Sequence, residues 1–170
     1  MDIKKAIIDQ YGAALEMLKQ AIIQCPAARW HDAQDRKKFW QVAYHTLFFT
    51  HLYLHDNEKA FKSWAKHRQD YQRLGSFPEK TELNEPYSRE EILEFFELCR
   101  QTVEDKVATQ NLEAESGFDW LPFNKLELQL YNIRHIQHHA AELIEWLGAN
   151  EGIDVDWVSM APEKPNLLQA

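Results

Sequence analysis

Apolar positions recur every three or four residues in four long runs separated by turn signals, the spacing that lines one face of an α-helix. The first predicted helix covers residues 3–24, with Ala6, Ile7, Tyr11, Ala14, Leu15, Leu18 and Ile22 on one face before Pro26 stops it. The second covers residues 33–55, with Asp32 as the expected N-cap and Asp35 in its first turn. The third opens at "SREE", where Ser88 and Glu91 have capping-box spacing, and carries Ile92, Phe95, Phe96, Leu98, Cys99 and Val103 on one face before fading near Gln110. The fourth runs from Asn124 to Leu147, with Gly148 expected as the residue that closes it.

Between the second and third runs lies a charged stretch, residues 56–87, containing Gly75, Pro78 and Pro86. It reads as a long crossover with a short helix around Phe61 to Trp64. Residues 115–124, "ESGFDWLPFN", form a turn around Gly117 and Pro122. No segment alternates with period two, so the fold is expected to be all-α: a four-helix bundle with a long crossover between helices 2 and 3. Residues 1–148 make the bundle, and 149–170 an irregular C-terminal tail that drapes over the surface or is partly disordered.

Composition narrows the function classes. Hydrophobic residues make up 45% of the chain and aromatics 12%, enough to build a core. The net charge is −8, from 27 acidic and 19 basic residues, and no basic run is present, so a nucleic-acid partner is not expected. Residues 39–55, "FWQVAYHTLFFTHLYLH", lack Asp, Glu, Lys and Arg but are short for a bilayer span and hold three histidines, so they read as a buried helix. The first residues lack the pattern of a secretory signal, so the mature protein is expected to start near residue 1. Cys25 and Cys99 cannot form a disulfide framework or a four-thiolate site, and fit a reducing cytoplasm as buried thiols.

The chemistry concentrates in "NIRHIQHHAAELIEWL", residues 132–147. On a helical wheel with His135 at zero, His139 falls at about 40° and both border the stripe of Ile136, Leu143 and Leu147; His138 falls at about 300°, on the far side. On the second predicted helix His45 sits among Val42, Phe48, Phe49 and Leu52, in the middle of an apolar face. A His-x-x-x-His pair with a third histidine from a neighbouring helix makes a three-nitrogen cap for a divalent metal, with a remaining position for water or substrate. Imidazole ligands suit Zn, Ni, Cu or Fe. His51 and His55 are also four apart, but fall at about 240° and 280°, away from His45, and read as interfacial or surface residues. Other motifs are missing: no His-Glu-x-x-His, no Glu-x-x-His pairs of a di-iron bundle, no Cys-x-x-Cys, no glycine-rich phosphate loop. The tryptophans read as core, with Trp146, at about 20°, a candidate wall of the metal cleft.

"WQVAYHTLFF", "HIQHHAAELIEWL" and "PYSREEILEFF", in this helix order, resemble the DinB-like (YfiT-like) superfamily of four-helix-bundle metal-binding proteins over nearly all of residues 1–148. The resemblance implies His45, His135 and His139 as metal ligands, usually for zinc or nickel. It implies reactions in which the metal activates a thiol, such as bacillithiol- or mycothiol-dependent transfer and isomerisation. The chain departs from the family where Gly-Gln often follows the last histidine: here Ala140, Ala141 and Glu142 follow His139. Glu142, at about 340°, is a candidate partner for a ligand's other nitrogen or an extra ligand.

The function expected is that of a metal-dependent enzyme, a divalent metal on three histidines activating a thiol or water for small-molecule transfer or hydrolysis. The alternatives are a non-catalytic module in which the metal braces the bundle or the bundle serves dimerisation, and metal-free histidines that are hydrogen-bonded core residues. A homodimer is expected by analogy with similar proteins.

Overall fold

In the computed structural model, which describes residues 2–32, 34–35, 37–75 and 85–162, every regular element is a helix. The helices are α1 (Ile3–Gln24), α2 (Ala27–Trp30), α3 (Phe39–Tyr53), α4 (Arg89–Thr109) and α5 (Lys125–Glu151), with a 3-10 turn at Glu58–Ala60. α1 and α3 each pack against both α4 and α5, so the four long helices enclose one core in a helical bundle. Among the described residues there is no strand; Glu115 and Asn124 form an isolated bridge across the turn before α5.

α1 and α4 follow their apolar periodicity. Asp2 accepts from the Lys5 N–H to start α1, and Ile7, Tyr11, Ala14, Leu15, Leu18 and Ile22 are buried, whereas Ala6 faces solvent. Ser88 and Glu91 form the expected capping box, and α4 buries Ile92, Phe95, Phe96, Cys99 and Val103. Cys25 and Cys99 are buried free thiols, and burial pushes the Cys25 thiol up to about 12.

Two helix ends differ from expectation. α3 begins at Phe39, not near residue 33; Ala33 itself lies outside the described residues. The Asp32 carboxylate is committed to the Gln34 N–H and the Arg29 guanidinium, and Lys38 Nζ donates to the Asp32 and Asp35 carbonyls, both at 2.6 Å. An ammonium there takes the place of the helical N–H partners those carbonyls would have, and the helix starts where apolar side chains do. The α2 turn preceding it starts at Pro26, whose fixed φ suits a helix N-terminus; Trp30 is buried and donates from Nε1 to the Tyr87 carbonyl.

α5 does not end at Gly148. It continues to Glu151, and Gly152, at φ 66°, takes the left-handed closing position, its N–H bonding to the Gly148 carbonyl at 3.2 Å. Arg29 holds Glu151 at 2.6 Å and so anchors the extra turn to α2.

The connection from α3 to α4 carries the 3-10 turn before Phe61 rather than a helix at 61–64; Pro78 lies outside the described residues, as does Pro165 in the tail. The tail as far as residue 162 drapes over the bundle, with Ile153, Val155 and Val158 packed on the core and Ala161 against Gly12 of α1. Ahead of α5, the buried Lys125 donates from Nζ to the carbonyls of His55, Asp56 and Ser116, fastening the end of α3 to the turn. No helix among the described residues is long and apolar enough to cross a membrane.

Candidate metal centre

His45 lies halfway along α3, and His135 and His139 halfway along α5, on the faces where these helices meet. The three offer ligand nitrogens that all lie within 4.8 Å of one another. His45 Nε2 and His135 Nε2 are 3.2 Å apart, and the rings of His135 and His139 are 4.7 Å apart and nearly perpendicular at 84°. His139 is buried and the other two are half-buried. Phe49, one turn beyond His45 on α3, packs on both the His45 and His135 rings, at 4.8 and 5.8 Å, and walls the cluster with hydrocarbon.

The outer nitrogens are held from separate parts of the chain. His45 Nδ1 is 2.6 Å from the Gln72 carbonyl; a carbonyl only accepts, so Nδ1 carries the proton and Nε2 is left bare in the neutral ring. The Gln72 carbonyl is presented by a tight turn, in which Asp70 adopts a left-handed φ of 68° and its carbonyl accepts from the Arg73 N–H at 3.0 Å. Gln41 on α3 donates to the Arg73 carbonyl and pins this turn to the helix. His139 Nδ1 is 2.8 Å from Glu142 Oε2, whose other oxygen is 2.8 Å from Lys37 Nζ. His135 Nδ1 is buried without a hydrogen-bond partner.

The rings are neutral at pH 7. Burial drives His45 down to about 4, assisted by the neighbouring His139 and Lys37, against the pull of the Gln72 carbonyl. Burial and the other two histidines drive His135 down to about 3, and burial also lowers His139 in spite of Glu142. Imidazole binds metals only in its neutral form, so these depressed values suit the cluster to a cation at neutrality. With His45 Nε2 bare, the 3.2 Å contact is donated by His135 Nε2–H, a proton that His135 would move to its unpartnered Nδ1 on binding a metal. The donor set fits a borderline divalent cation: three imidazoles, two of them oriented from outside, on rigid helices.

The other sequence candidates fall elsewhere. His138 is exposed and meets the His139 ring edge-on, at 4.8 Å between rings and 70° between planes. His138, His139 and Glu142 also lie close enough to hold a cation, but His139 Nδ1 already donates to the carboxylate and Lys37 already neutralises it. His51 is buried at the interface of α3 with α4, beside Phe61 and Phe95, rather than at the surface. His55 Nδ1 donates back to the His51 carbonyl at 2.8 Å. Trp146 packs its edge on Phe39, 6.0 Å away, with the Arg29 guanidinium over its ring.

Lys37 and Gln72 were not foreseen. Both lie in non-helical segments that meet the cluster only through tertiary packing, and nothing in their spacing marks them. Compared with known proteins, the chain matches no family model, no curated protein and no solved structure.

Proposed function

We propose that the chain is a metal-dependent enzyme of the DinB-like kind, in which His45, His135 and His139 hold one divalent metal, zinc or nickel. The observation that carries this reading is the convergence of three neutral imidazoles from two helices, with the outer nitrogens of two of them fixed by built acceptors. A satisfied core histidine needs one partner; three imidazoles brought within ligating distance of one another on two facing helices match the donor set of a three-histidine metal site, which supports this reading.

Three protein ligands leave a coordination position for a small molecule. A divalent ion there supplies Lewis acidity that lowers the pKa of a thiol or water nucleophile, which fits group transfer from a low-molecular-weight thiol, or hydrolysis. The histidines position the ion, Phe49 excludes water on one side, and the Gln72 carbonyl and Glu142 hold two rings in the ligating tautomer. A cytoplasmic setting suits the free thiols, and a homodimer is part of the same proposal by analogy with the resembling family.

The cluster also spans α3 and α5, the feature that favours a purely structural brace. Cobalt-loaded protein separates the two readings. Adding a small thiol to an open site produces a sulfur-to-cobalt charge-transfer band in the near ultraviolet. A spectrum unchanged both at millimolar thiol and on adding a small anion such as azide, which would displace a bound water, contradicts the enzyme reading and leaves the brace.

A further inference from the structure

Resting on the metal reading above, we infer that Lys37 and Glu142 are a positioning pair that selects the tautomer of His139 and thereby sets how tightly the centre holds its metal. Glu142 follows His139 by three residues on α5, so its carboxylate lies beside the imidazole, with Oε2 2.8 Å from Nδ1. An ionised carboxylate only accepts, which places the ring proton on Nδ1 and turns a bare Nε2 toward His45 and His135. A carboxylate on the outer N–H also makes the inner nitrogen a stronger donor to a cation.

Lys37 completes the pair from another part of the chain. It belongs to the segment entering α3, and its ammonium meets Glu142 Oε1 at 2.8 Å. With Oε1 held by Lys37, the carboxylate keeps its other oxygen on the edge of His139. The three ligands therefore differ in what can be undone by mutation. His45 is oriented by a backbone carbonyl, His135 has no outer partner, and His139 depends on two side chains.

The test uses the full chain labelled with 15N-histidine, metal-free, as wild type, Glu142→Ala and Lys37→Met. Long-range proton–nitrogen correlation reads which His139 nitrogen carries the proton, a signature that loss of a mere cross-link would not move. Competitive titration with zinc, and separately nickel, then reads affinity. The wild type is expected to show the Nδ1–H tautomer. Glu142→Ala is expected to shift to Nε2–H and to bind about 10- to 100-fold more weakly, with Lys37→Met intermediate. Unchanged tautomer and affinity in both variants, beside a wild type that binds, overturns the positioning role. A wild type that binds neither metal overturns the metal reading itself, and is recognised without any variant.

Discussion

His51 shows how burial, rather than residue type, sets behaviour at a single position. It is 5% exposed and makes contact with the Phe61 and Phe95 rings. Burial, and then the neighbouring His55, bring it down from 6.5 to about 4. The folded state thus prefers the neutral ring, while the unfolded chain takes up a proton below 6.5. Stability is therefore present in full above 6.5, is lost as pH falls toward 4, and stops changing through this group below that. In metal-free protein His45 and His135 act in the same sense. Urea midpoints between pH 7 and 4 are expected to fall less steeply for His51→Leu than for wild type; parallel profiles would contradict the assignment. The three histidines that the wheel put on apolar faces, His45, His135 and His139, come together because all three lie on well-formed helices whose facing stripes meet. Of the two readings for His51, interfacial or surface, the structure has the interfacial one, because α3 is buried almost all round: away from His45 is toward α4, not toward water.

For elements, periodicity and local caps act together where both are present. α1 and α4 have a capping side chain at the N-terminus and a clean stripe, and their limits were legible in the sequence. α3 lacks a side-chain cap, and its start depends on Lys38 reaching two carbonyls, a contact that no spacing encodes. α5 passes through Gly148 because tertiary contacts hold its last turn, Arg29 on Glu151 and Ile153 on the core. The two glycines therefore have opposite roles. Gly148 is helical with room for a Cβ, which would meet the Ile153 carbonyl oxygen at 3.9 Å, an ordinary van der Waals contact. Gly152 sits at φ 66°. Gly148→Ala is expected to be neutral or to stabilise by up to about 1 kcal/mol, and Gly152→Ala to destabilise by about 1–2 kcal/mol. Chemical denaturation of the two variants checks this, and the reverse order would show that the helix ends at Gly148 in solution.

In the whole molecule, the candidate centre sits where the two halves of the chain meet. His45 comes from the N-terminal half and His135 and His139 from the C-terminal half, so an ion on them would tie α3 to α5 across the core. The connection between α3 and α4 contributes the Gln72 carbonyl, which couples the ordering of residues 70–73 to the ligating state of His45. The all-helical class was legible from the absence of period two, since a helical bundle needs only repeated amphipathic stripes. The surroundings of the cluster were not, because Lys37 and Gln72 approach it through loops. The central claim is that these three histidines hold a metal. Plasma mass spectrometry of untagged, purified protein, beside a His135→Ala/His139→Ala variant, tests it most directly. Roughly one equivalent of zinc or nickel in the parent and almost none in the variant is the result predicted. A parent that is empty, and that neither binds added zinc or nickel nor melts higher in their presence, would contradict the claim and return the three histidines to the core.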